Sequence, residues 1–394
     1  MTSTARPAPA PVYLPVHANS VVLDWAWHAY AVVAAAGMVV VGLLWDISWH
    51  MSIGRDTFWT PAHLLIQSGG LLAGLSSGLL ALHTTFRGTP EAKASAVSFW
   101  GFRAPLGAWV CVLGCGAMLT SAPFDDWWHN AYGLDVRIVS PPHILLGLGM
   151  MGIVLGALLR TLALQNASEG VTRDRAALLF AVASGLFLTI LAVLLMEEAP
   201  RRAMHSPQFY RTLSRPVPLL LVAVAVAGRR RWPATTAAIV YMIVLAGTSW
   251  LLMLFPATPK LGPIYQDITR YVPLDFPMLL VVPAFAIDLT WLRVKERPWW
   301  MASLALGAAF LTGLLVAQWP FADLMMRHGR NWFFHVDNFV YWRPKSTEVF
   351  AYQYREPRPG DPSLAVGLAQ ALAFAVAASA IGRAWGRWMT RVQR

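Results

Sequence analysis

Apolar runs of about 20 residues recur along the whole chain, separated by short polar segments. At 1.5 Å per residue, a helix of that length crosses a hydrocarbon layer of about 30 Å. The pattern predicts ten spans, at residues 26–48, 61–83, 104–122, 141–165, 175–197, 216–229, 233–256, 273–293, 298–320 and 362–385. The sixth is short for a crossing. The expected fold is all-α, a polytopic transmembrane helix bundle. Residues 1–25 read as a polar, Pro-rich tail without the pattern of a cleaved signal peptide, so the first span is expected to be retained.

Composition agrees: 57% of residues are hydrophobic and 13% charged. The net charge of +11 would suggest nucleic acid in a soluble domain. Here the basic residues fall in alternate short loops: Arg87, Lys93 and Arg103; Arg173; Arg229, Arg230 and Arg231; Lys295 and Arg297; Arg387, Arg391 and Arg394. The intervening loops hold Asp56, Asp125, Asp126, Asp135, Glu197, Glu198, Asp267, Asp323 and Asp337, although 198–215 also carries four arginines. By the positive-inside rule both termini are cytoplasmic, and the chain reads as five outward-facing hairpins. The expected surrounding is a lipid bilayer, with no nucleic-acid partner.

The first two hairpins share a pattern of acids and imidazoles. One reads WDISWHMSIGRDTFWTPAHLL and the other FDDWWHNAYGLDVRIVSPPHILL, with their first histidines 79 positions apart (129 − 50). Each runs Asp-x3-His-x5-Asp, then Pro, then a His that opens an apolar segment. The later hairpins lack it. Residues 26–165 therefore read as a duplicated, metal-binding four-helix membrane unit. Residues 166–394 supply the remaining helices, with an outer interfacial segment at 321–361 whose aromatics (Trp332, Phe333, Phe334, Tyr341, Trp342) suit the lipid–water boundary.

The spacing has a geometric meaning. Asp46 and His50 are four apart, as are Asp125 and His129, so each pair shares one helix face. Gly54 and Gly133 follow as helix-ending residues. Thr60-Pro61 and Ser140-Pro141 are helix-start signals, with the hydroxyl as N-cap and Pro at the first position. His63 and His143 then occupy the third helical position and face the Asp–His pair across the bend. Two imidazoles and one carboxylate form a metal-binding set for copper, iron or zinc. Coordination would also offset the cost of polar groups in a membrane helix, about 2.5–3.5 kcal/mol each at its centre. Asp56 and Asp135 are read as extra ligands, as groups orienting a His, or as partners of Arg55 and Arg137. A solvated outer loop with interfacial histidines is the competing reading.

Elsewhere, His28 and His83 are expected at the interface, and Cys111 and Cys115 as small core residues, with soft copper ligation as the alternative. The glycines from Gly69 to Gly78 read as close helix packing. The 328–337 stretch is a further candidate cluster.

The Asp-x3-His-x12-His spacing of Asp46, His50 and His63 resembles the copper site in the C subunit of copper membrane monooxygenases, the particulate methane and ammonia monooxygenases. Asp125, His129 and His143 resemble that family's second site, with Asp125 where the family has Asn. The resemblance covers residues 45–150. It implies copper, O2, a small apolar substrate, A- and B-like partner subunits, and a bacterial inner membrane with the sites facing the periplasm. The alternatives are a transporter or metal-handling protein, and a non-catalytic membrane subunit of a respiratory complex.

Overall fold

The computed structural model describes residues 26–54, 59–133, 140–198, 204–328, 332–335, 340–342, 360 and 362–393. Among them, nine helical stretches are long and apolar enough to cross a membrane. The chain is an all-α polytopic membrane protein. Its helices are α1 (Ala26–Ser52), α2 (Pro61–Phe86), α3 (Pro90–Ala94), α4 (Leu106–Tyr132), α5 (Pro141–Ala167) and α6 (Gly170–Glu198), followed by α7 (Pro207–Leu213), α8 (Val217–Ala227), α9 (Pro233–Leu252), α10 (Val281–Val294), α11 (Trp299–His328) and α12 (Leu364–Met389).

Helices α1, α2, α4 and α5 close a ring in which α1 packs on α2, α2 on α4, α4 on α5 and α5 on α1. Neighbours run antiparallel, so the α1–α2 and α4–α5 bends lie at the same end. Small residues allow the close approach, as membrane helices without a hydrophobic drive between them require. A Cβ on Gly114 would lie 2.8 Å from the Gly149 carbonyl oxygen, and one on Gly156 would lie 2.7 Å from that of Gly107. Gly69 meets the Ala35 carbonyl at 2.8 Å in the same sense. Gly78 has open space, so the packing role expected for the Gly69–Gly78 run does not extend to it. Cys111 and Cys115 are free, buried thiols that fill the notches at Gly156 and Gly74.

The far end of this ring corrects one expectation. His28 is fully buried. Arg160 Nε donates to its Nδ1 at 3.2 Å, so its Nε2 carries the proton and lies 3.0 Å from Ser77 Oγ. Three helices are thus tied together by polar groups 18 residues from Asp46 (46 − 28), about 27 Å along α1. Buried Arg160, Thr161 and Gln165 stand at this same end.

In the second half, the short sixth span is a central element. Helix α8 is apolar on all sides and buried against α12, α10, α9 and α6, and with α7 it spans Pro207–Ala227. The eighth expected span is shortened. Pro273 and Pro277 cannot donate to a helix and disfavour helical backbone before them, so residues 273–280 run without helix until α10. Conversely, α4 and α11 continue through Pro123 and Pro320, beyond the expected ends. The 84–103 connection holds α3 and a two-stranded hairpin, β1 (Val97–Phe99) and β2 (Phe102–Ala104), turned by Trp100 and Gly101 with φ of 49° and 81°. In the expected outer segment 321–361, α11 extends to His328. Among the described residues beyond it, Phe334 packs on Phe276 and Phe321.

Candidate metal centre

Each bend brings its three residues together. In the first, Asp46 Oδ1 lies 3.1 Å from His63 Nε2, and Asp46 Oδ2 lies 3.6 Å from His50 Nε2. In the second, Asp125 Oδ1 lies 3.2 Å from His129 Nε2 and 3.6 Å from His143 Nε2. The imidazole pairs have the same centroid separation, 6.5 Å in both. Among the described residues, the first set alone has its three ligand atoms all within 4.8 Å of one another. Ligands about 2.05 Å from a tetrahedral ion stand about 3.3 Å apart, so the Asp46–His63 gap already has that scale.

Local sequence explains the convergence. Thr60 caps α2 by accepting the backbone N–H of His63 itself at 3.2 Å, and Ser140 caps α5 by accepting that of His143 at 3.5 Å. Pro follows directly in both. The hydroxyl that starts the helix therefore also fixes the backbone of the ligand. Gly54 and Gly133 both have φ of +85°, a conformation that side chains with a Cβ resist. Thr60→Ala should lower stability by about 1 kcal/mol, and Ser140→Ala by less because its bond is longer. Thermal melting of the two variants checks this order; equal losses would contradict it.

Chemically, the second set calls for a positive charge between acid and imidazole. His129 Nδ1 lies 3.1 Å from the Gly133 carbonyl, so that nitrogen carries the proton. Its Nε2 is then a lone pair facing a carboxylate oxygen. Only a second proton or a cation makes that contact attractive. In the first set, Asp46 Oδ1 is buried and accepts no hydrogen bond of proper geometry despite the close His63 nitrogen. The donor set fits copper, iron or zinc.

The two centres differ in their cover, a feature absent from the sequence reading. Ser48 Oγ donates to the Val272 carbonyl at 2.6 Å, and Val272 N–H donates to Ser52 Oγ at 2.7 Å. Trp45 and Trp49, on the adjacent face of α1, pack with Ile53, Leu252, Ala257 and Tyr271. Gly54 is closed over by Leu261 and the Tyr341 hydroxyl, whereas Gly133 has open space. The first centre is therefore clamped by the segment before α10. The only signal in the sequence was the Ser-x3-Ser pair offset by two from Asp46 and His50. Asp56, Arg55, Asp135 and Arg137 lie outside the described residues.

The other titratable groups at this end do not repeat the pattern. His205 lies 3.4 Å from Asp323 and 3.3 Å from the Trp319 carbonyl, joining the third and fifth hairpins. His335, with φ of 60°, donates from Nδ1 to the Leu274 carbonyl at 2.8 Å. Burial holds its imidazole below the usual range, with the Leu274 hydrogen bond and Asp275 acting against that. A buried neutral imidazole contributes stability that is full above the unfolded value of about 6.5 and lost as pH falls from there. The melting temperature should therefore fall between pH 7 and 5, less steeply in His335→Gln. An identical slope in that variant would refute the assignment.

Comparison with known protein families, with curated proteins and with solved structures finds no match for this chain. What the fold and site define is a polytopic helical membrane protein with an Asp/His cluster able to hold a metal ion.

Proposed function

We propose that the chain is a copper-binding component of a membrane oxidase or monooxygenase, with its principal centre at Asp46, His50 and His63. The observation carrying this reading is the convergence of one half-buried carboxylate and two imidazoles from both limbs of a bend at ligand spacing. The spacing shared with copper membrane monooxygenases favours copper over iron and zinc. Copper, when bound, supplies one-electron redox and O2 chemistry that side chains lack.

The protein's own part is positional. Asp46 supplies the negative charge, and helical spacing holds it beside His50. The Thr60 cap sets His63 against them. The Trp45, Trp49 and Tyr271 flank limits water on one side, and the Ser48–Val272–Ser52 clamp prevents the outer end of α1 from drifting. Rigid support of this kind governs how closely a site holds its geometry. Asp125, His129 and His143 form a second site of the same composition, less closely drawn together, suited to a second ion or an electron relay. Exposed leucines along α2 (Leu64, Leu71, Leu75) give an apolar substrate a route from lipid.

A transport role is disfavoured by the apolar layer between the two polar ends. Val39, Val40, Ile66, Ala73, Met118 and Ile153 are all buried there. The reading is tested by O2 uptake of membranes carrying the chain, with candidate partner subunits, on a short alkane or ammonia. Copper-dependent uptake that is lost in Asp46→Ala supports it. Uptake that is absent or indifferent to copper and to Asp46 contradicts it.

A further inference from the structure

A cleft of about 170 Å³ opens between the start of α11 and the end of α12, lined by Trp299, Ser303, Ala380, Arg383, Ala384 and Arg387. It lies at the end of the bundle opposite the Asp–His sets. Asn166, at the close of α5, donates to the carbonyls of Met389 at 2.9 Å and Val392 at 2.8 Å, whereas α5 begins beside His143.

The cleft holds an unbalanced charge. Arg383 is only 4% exposed. Its Nη2 donates to the Arg297 carbonyl at 3.3 Å, while its buried Nε has no hydrogen-bond partner. Arg387, one turn further along α12, is exposed. Among the described residues no carboxylate pairs with either guanidinium, and the nearby Glu296 is exposed. A buried guanidinium is costly unless an anion meets it. The first turn of the 30-residue α11 adds partial positive charge on the facing wall. Ser303 is committed to the Trp299 carbonyl at 2.7 Å and shapes the cleft without offering a donor.

We propose that this cleft binds a phosphate-class oxyanion. Two guanidiniums one turn apart offer planar, paired donors that suit phosphate oxygens. A basic notch between helices at a membrane face is also where an anionic lipid head group would enter. Exposed Trp299 at its mouth fits that source, as an interfacial ring.

The test uses the purified full-length protein in neutral detergent. Retention by native mass spectrometry and the melting temperature are read with phosphatidylglycerol, with phosphatidylcholine and with inorganic phosphate alone. The expected result is selective retention of phosphatidylglycerol with a raised melting temperature, weakened tenfold or more in Arg387→Gln and only partly restored in Arg387→Lys, which keeps the charge but not the paired donors. Metal content at the Asp–His sets should be unchanged in both, which separates this proposal from the metal reading. Matching protection by inorganic phosphate would identify a free anion as the source; protection by the lipid alone would identify the head group. Arg383→Gln should act more strongly, and if it does not fold, exposed Arg387 still decides. Equal retention of both lipids with no effect of phosphate, or binding indifferent to Arg387→Gln, overturns the proposal.

Discussion

Gly149→Leu should strongly destabilise the folded protein, whereas Gly147→Leu, two residues away on the same helix, should be tolerated. A Cβ on Gly149 would stand 2.8 Å from the Gly114 carbonyl oxygen and 2.9 Å from the Met118 backbone nitrogen, while Gly147 has nothing within 4 Å. Backbone cannot swing aside as a flexible side chain can. Overpacking in ordinary cores costs about 1–3 kcal/mol, and here α4 and α5 would have to separate along the Gly107–Gly156 line as well. The loss is expected at about 3 kcal/mol or more. Size-exclusion behaviour and melting of the two variants in detergent check it. A monodisperse, wild-type-like Gly149→Leu protein would show that the helix crossing is wrong.

His63→Ala should weaken metal binding at the first centre by about 100-fold or more while leaving the chain folded. Even outer partners of metal ligands are worth 10–100-fold in affinity, and His63 supplies a ligand atom itself. The fold survives because the Thr60 cap uses the His63 backbone N–H, which Ala retains. The imidazole is only partly buried, so its removal leaves little cavity. His143→Ala should act only on the second centre, since each set draws its ligands from its own bend. Metal titration of both single variants and the double variant measures the separation. A first centre that loses metal equally in His143→Ala would mean a single shared site.

Much of this site was legible in the sequence because its rules are local. Asp-x3-His places two side chains on one helix face without any tertiary information. Thr-Pro-x-His and Ser-Pro-x-His place a cap and a ligand in one turn. What the sequence could not show was set by distant partners. His28 carries no neighbouring signal of burial, since Arg160 is 132 positions away and Ser77 is 49. The Val272 backbone that clamps α1 is over 200 positions from Ser48 and Ser52. The α8 span failed a length rule that counts one helix at a time, although α7 completes it. Pro273 and Pro277 lie inside an apolar run, so hydropathy alone starts that span at 273. The expected spans stop at residues 122 and 320, although helix continues through Pro123 and past Pro320. Proline's missing donor breaks a helix only where neighbours do not hold its course, and that depends on packing.

The central claim, that the first bend clasps an ion between its limbs, is most directly tested by electron paramagnetic resonance of the purified protein loaded with Cu(II). Wild-type protein should give a spectrum with hyperfine structure from two imidazole nitrogens at the first centre. His50→Ala and His63→Ala should each remove one of them, and Asp46→Ala should remove the copper bound at that centre. A spectrum unchanged by all three substitutions, or no copper retained by the wild-type protein, would contradict the claim.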